Sequence, residues 1–267
     1  MPVHACIDQL GREIQIPVHP RKIISLVPSQ TELLFDLGLN EEIMAVTKFC
    51  IYPEEKVKSK IRIGGTKNLN IEKIKSLRPD LIIGNKEEND EEQIKELMKE
   101  FTVWISDIQT TGEAYAMIDS VGKITGKQKQ ADRIIKDIRV AIRNFQLSKT
   151  DDVFTAAYLI WNEPMMTTGN NTFIHHMLGI AGFKNVFNDL RRYPEIGIQD
   201  LKLRSPQFLL LSSEPFPFST KHAEEFEKLL SQTKILLVDG EMFSWYGSRM
   251  VKSISYFEHL HLLIKEL

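Results

Sequence analysis

One segment occurs twice: IEKIKSLRPDLIIG at residues 71–84 returns as IQDLKLRSPQFLLL at residues 198–211. The copies align without a gap, Ile71 on Ile198, Ile74 on Leu201 and Pro79 on Pro206. Each predicts a short amphipathic helix, a proline stop and a buried strand. A second pair, TELLFDLGL at residues 31–39 and TFIHHMLGI at residues 172–180, predicts apolar helices that end at a glycine in a left-handed turn. Both pairs fall in the same order in the two halves, so the chain reads as one α/β lobe written twice. Two similar lobes make a cleft, and clefts take ligands.

The rest of the chain fits around this repeat. Strands are predicted at residues 23–27, 44–47, 102–106 and 153–161, with another in the KILLVDG run. Helices are predicted at residues 31–37, capped by Ser29 or Thr31, from the acidic run KEENDEEQ to Glu100, and from about Ser248 onward. Across residues 127–148, apolar side chains fall on one helical stripe, and neither glycine nor proline interrupts them. This long helix lies between the copies of the repeat and reads as a rigid connector. The predicted fold is therefore α/β: two Rossmann-like lobes with parallel sheets, joined by one long backbone helix, with a ligand cleft between them. The expected divisions are 1–126, 127–148 and 149–267.

Composition narrows the function classes. A 42% apolar and 26% charged chain with net charge −2 is ordinary for a globular protein and carries no basic field for nucleic acid. No apolar run approaches the roughly 20 residues of a membrane helix, so no membrane insertion is expected. The first 22 residues lack the basic start and apolar stretch of a secretory signal. As written, the chain is expected in the cytoplasm; a mature chain carrying a supplied Met1 would belong to the periplasm or cell surface. Cys6 and Cys50 read as two free thiols, although an oxidising compartment would allow them to pair. No nucleophile elbow, phosphate loop, dinucleotide fingerprint or metal cage is present. The expectation is a monomeric binding protein with no intrinsic cofactor and no enzymatic activity.

In parallel sheets, ligands meet the loops beyond the carboxyl ends of the strands. Those loops supply Ser29, Phe49, Tyr52, Lys67, Asn85 and Lys86 in the first half, and Trp161, Arg192, Phe243, Trp245, Tyr246 and Arg249 in the second. The aromatic residues suit a flat macrocycle. The cations, with Lys48 and Arg191 beside them, would balance an anionic ligand. Trp161 ends a strand and suits either the core or the ligand face. His175 and His176 are adjacent in a helix, so their rings diverge and do not chelate one metal.

The segments RKIISLVPSQTELLFDLGL, GGTKNLNIEKIKSLRPDLIIGN, NEPMMTTG, RSPQFLLLSS and DGEMFSWYGSR, with the long middle helix, resemble the cobalamin- and ferric-siderophore-binding proteins of ABC importers. These are the helical-backbone metal-chelate receptors of periplasmic binding protein class III. The resemblance implies capture of a metal chelate, a cobalamin-like corrinoid first and a ferric siderophore second, for delivery to an ABC permease. It also implies a docking carboxylate on each lobe. Glu72 matches in the first lobe; in the second, Gln199 takes the aligned position and the carboxylate moves one residue, to Asp200. Thr66 and Asn85 stand where cobalamin binders of the family carry tryptophans. The alternative is a cytosolic corrinoid or chelate carrier, sensor or enzyme that works without a permease.

Overall fold

The computed structural model describes residues 3–148 and 153–266. The chain opens with an antiparallel hairpin, β1 (Val3–Ile7) and β2 (Glu13–Pro17). Asp8 holds its turn: the carboxylate accepts from the backbone N–H groups of Leu10 and Arg12 at 3.0 Å each, and from the Arg12 side chain. These strands were not expected, because β1 alternates between exposed and half-buried residues and has no strongly apolar face.

The first α/β unit follows as β3 (Ile23–Ser25), α1 (Pro28–Asp36), β4 (Ile43–Val46), α2 (Glu54–Val57), β5 (Ile61–Arg62), α3 (Ile71–Leu77), β6 (Leu81–Asn85), α4 (Glu91–Met98), β7 (Val103–Ser106) and α5 (Thr111–Ile124). Its five strands are parallel in the order β5-β4-β3-β6-β7. The three strands β3, β6 and β7 are buried along their whole length, as a sheet covered on both faces requires. Neither Ser29 nor Thr31 caps α1. The N-cap is Val27, and Pro28 takes the first turn, where its fixed φ and missing N–H cost nothing. Thr31 lies inside the helix and donates to the Val27 carbonyl at 2.9 Å.

The apolar stripe across residues 127–148 folds as α6 (Gln128–Ser148). Beyond it come β8 (Phe154–Trp161), β9 (Met166–Thr167), α7 (Phe173–Ile180), β10 (Phe183–Asn185), α8 (Ile198–Arg204), β11 (Phe208–Ser212), α9 (Thr220–Leu229), β12 (Lys234–Val238), α10 (Glu241–Ser244) and α11 (Met250–Glu266). The parallel order is β10-β8-β11-β12, with β9 antiparallel on β8. Leu159, Phe187, Leu201, Leu209 and Leu211 form part of this unit's core.

The repeat accounts for the shared plan. Both α3 and α8 stop at a non-glycine residue in the left-handed region, Arg78 (φ 48°) and Ser205 (φ 45°). Each precedes a proline, whose ring disfavours a helical conformation in the residue before it. The strand that follows then lies beside the first strand of its sheet, β6 on β3 and β11 on β8. These are the places where strand order reverses, and the carboxyl ends of the strands there are the expected ligand positions. The second pair of helices is less alike. Gly38 is left-handed after α1 (φ 84°), but Gly179 stays inside α7 and the left-handed turn comes at Gly182 (φ 84°). Continuing the helix past Gly179 buries Ile180.

Two compact units divide the chain, and they do not follow chain order. One holds Met1–Ile108, Gly112–Arg139 and Tyr246–Arg249; the other holds Gln109–Thr111, Val140–Trp245 and Met250–Leu267. Helix α6 is thus shared between them, whereas the sequence placed it apart as a connector. The boundary expected at residue 149 lies outside the described residues. Among the described residues, no helix is long and apolar enough to cross a membrane.

Candidate functional site

At the switch point of the first unit, a buried polar network builds the loops. Asn85 donates to the Ser106 carbonyl at 3.2 Å and to its hydroxyl at 3.0 Å. Its own oxygen accepts from the N–H groups of Glu87 and Glu88 at 2.8 and 3.0 Å. The Asn89 side chain closes the turn by accepting from the Asn85 N–H at 2.8 Å. Every polar atom of the Asn85 side chain is therefore committed to shaping the loop after β6. Ser29 is buried at the start of α1.

Tyr246 is buried in the same unit, and its hydroxyl donates to a Glu88 carboxylate oxygen at 2.9 Å. Burial, and then the charge of Glu88, push the phenol well above its ordinary pKa, so it stays protonated as a donor. Arg249 was expected to balance an anionic ligand. It is 4% exposed, and its guanidinium donates to both oxygens of Glu32, at 2.7 and 3.0 Å. Its charge is satisfied within the unit.

Four other candidates of this unit reach solvent. Phe49 is 50% exposed and Tyr52 37%, both on the loop after β4. The Lys48 ammonium lies 4.9 Å from the centre of the Phe49 ring, and the Arg249 guanidinium 4.2 Å from that of Tyr52. A side chain at Gly65 would come within 3.2 Å of the Phe49 ring, so the glycine leaves that ring its place. The Lys67 ammonium donates to the carbonyls of Glu87 and Asn89, at 2.7 and 3.1 Å. Lys86 pairs with Asp107 at 2.6 Å.

In the second unit Trp161, at the end of β8, is 39% exposed, and its indole N–H donates to the Glu163 carbonyl at 3.0 Å. Phe216 stands against it edge-on, with ring centres 5.7 Å apart. Phe216 was not singled out from the sequence. The signal was its place in the aromatic EPFPF loop directly after β11. Arg192 is exposed, donates to the Asn171 carbonyl at 3.2 Å and covers the Tyr193 ring at 5.7 Å.

Two candidates from the FSWYGSR segment serve the interior of this unit instead. Phe243 is fully buried, 5.2 Å from Tyr158 and 4.8 Å from Phe257 between ring centres. Trp245 is 6% exposed and donates through its indole N–H to Glu214 at 2.9 Å. The two adjacent histidines diverge: His175 Nδ1 lies 3.3 Å from the Asn185 amide, and His176 Nε2 lies 3.1 Å from the Thr111 hydroxyl.

The two repeated helices divide one capping arrangement between them. At α3 the Asn70 side chain accepts from the Lys73 N–H at 2.9 Å. At α8 the N-cap is Gly197, which has no side chain, and Asp200 instead accepts from the Gly197 N–H at 2.7 Å. Together these are the two halves of a capping box. The shift of the carboxylate from the aligned position to Asp200 thus has a local cause. Glu72 is exposed on α3.

Two α/β units of this order carry exposed aromatic and cationic groups at the ends of their strands. A family model described as periplasmic binding protein matches residues 23–234, and the chain belongs to that family. An uncharacterised ABC transporter substrate-binding lipoprotein of Bacillus subtilis is 25% identical over 258 residues, covering 92% of this chain and 82% of the relative. A vitamin B12-binding protein of Pectobacterium carotovorum is 25% identical over 240 residues, covering 87% and 85%. A solved structure of a possible iron-binding, periplasmic solute-binding protein from Staphylococcus epidermidis has a TM-score of 0.77 at 25% identity, covering 90% of this chain and 98% of that one.

Proposed function

We propose that this protein is the substrate-binding component of an ABC importer and that its solute is an intact metal chelate, a cobalamin-like corrinoid first and a ferric siderophore second. The observation that carries this reading is the family match over residues 23–234. Relatives similar along most of the chain include a vitamin B12-binding protein and a possible iron-binding protein. Phe49, Tyr52 and Trp161 are the exposed aromatic surfaces suited to an apolar macrocycle, and Lys67, Lys86 and Arg192 the cations that would meet polar substituents.

A titration with cobalamin, cobinamide, haem and several ferric siderophores, followed by tryptophan fluorescence, tests the reading. The expected result is saturable 1:1 binding of at least one unchanged chelate. Silence with all of them overturns it, and chemical change in the ligand favours the enzyme alternative. A carrier that works without a permease is the second reading, favoured by one observation: the Asp200 carboxylate is used to cap α8. Stimulation of a reconstituted permease ATPase by the loaded protein decides between them.

A further inference from the structure

We propose that Arg249 is a positioning residue, which sets the orientation of the Tyr52 ring for ligand recognition without touching the ligand itself. The inference rests on the chelate-binding reading above. Glu32, on α1, holds the guanidinium through two hydrogen bonds at 2.7 and 3.0 Å, with both side chains 4% exposed. A bidentate pair of this kind fixes the plane of the guanidinium as well as its location. That group lies 4.2 Å from the centre of the Tyr52 ring. Tyr52 is 37% exposed, so a ring backed by a fixed cation still reaches solvent.

The arrangement is a relay of rigidity. α1 fixes Glu32, Glu32 fixes Arg249, and Arg249 backs the aromatic side chain of Tyr52 on the loop after β4. A ring already held in place loses less freedom when a ligand settles on it, and binding is tighter by that amount. Lysine in place of Arg249 keeps the charge opposite Glu32 but loses the planar group that stacks on an aromatic ring.

A double-mutant cycle tests this, with cyanocobalamin, haem and ferrichrome as probes on the full chain. Arg249→Lys is expected to weaken binding of the accepted probe about tenfold when Tyr52 is present. With Tyr52→Leu as background, the same substitution is expected to change affinity by about twofold or less. Equal losses in both backgrounds, or no loss in either, overturn the positioning role while leaving chelate binding intact. Failure of the unaltered protein to bind any probe overturns the chelate reading and this one with it. Where Arg249→Lys does not fold, Glu32→Asp, which keeps both charges and draws the guanidinium back, completes the cycle. Fluorine NMR of 3-fluorotyrosine at position 52 supplies a ligand-free readout, a resonance that shifts or broadens in Arg249→Lys; an unmoved resonance also overturns the proposal.

Discussion

Glu32 and Arg249 lie 217 positions apart in the sequence and meet through two hydrogen bonds, at 2.7 and 3.0 Å, with neither side chain more than 4% exposed. The pair ties Arg249 to α1 within one unit. Removing one charge takes from the other its two-hydrogen-bond partner in a buried place. Glu32→Gln is therefore expected to cost about 3–5 kcal/mol in urea unfolding. Glu32→Gln combined with Arg249→Met, which removes the stranded charge, is expected to recover part of that loss; a double variant as unstable as the sum of the singles would contradict this account.

The divided capping box gives a second expectation. Asp200→Asn, which weakens the side-chain cap at the start of α8, is expected to destabilise the protein by about 1 kcal/mol. Gly197 has φ −110° and ψ 167°, an extended geometry that asparagine adopts, and a side chain there would meet only Asp200, at 3.6 Å. Gly197→Asn supplies the missing half of the box and is expected to raise the thermal midpoint. A lowered midpoint would show that capping does not limit this helix.

Trp245 and Trp161 are expected to respond in opposite ways. Trp245 is packed and bonded to Glu214, so Trp245→Ala is expected to cost about 3–5 kcal/mol of stability. Trp161→Ala removes a half-exposed ring and is expected to cost about 1 kcal/mol or less while weakening chelate binding. Unfolding curves and titrations on the two variants separate the outcomes; strong binding by Trp161→Ala would remove that ring from the site.

Gly84 gives an expectation about the repeat itself. A side chain there would come within 2.7 Å of the Asn89 amide oxygen and 3.0 Å of Ile105. That oxygen accepts from the Asn85 N–H, so Gly84→Ala is expected to loosen the loop after β6 and cost about 1–3 kcal/mol. The aligned residue in the second copy is Leu211, which carries a full side chain. Amide exchange at Asn85 reads the change directly, and unaltered protection there would contradict it.

His175 gives a pH dependence. Burial holds its pKa below the ordinary value, because desolvation disfavours the charged ring. The unfolded chain then binds a proton that the folded chain releases. This contribution to stability is complete above the unfolded value of about 6.5 and is lost as pH falls through the lower folded value. His175→Gln is expected to flatten that part of the stability profile in urea unfolding at a series of pH values. An unchanged slope would place the dependence elsewhere.

The architecture was legible in the residues themselves. Buried parallel strands are continuous apolar runs, and the helix–proline–strand module shows itself by recurring at residues 71–84 and 198–211. Its two prolines mark both the helix ends and the strands that lie at the switch points. Of the candidate site residues, exposure was only half legible. Phe49, Tyr52 and Trp161 stand exposed at strand ends, where the sequence put them, because loop position is a local property. Asn85, Tyr246 and Arg249 look the same in sequence but are buried, because their partners are distant: Ser106 for Asn85, Glu88 for Tyr246 and Glu32 for Arg249.

Local pattern thus sufficed for two α/β lobes, their strand polarity and the loops at the strand ends. Which polar residues in those loops are free for a ligand was a matter of folding. A buried donor or acceptor must be satisfied by whatever the fold brings to it, and a partner as far away as Glu32 is from Arg249 leaves no trace in sequence spacing.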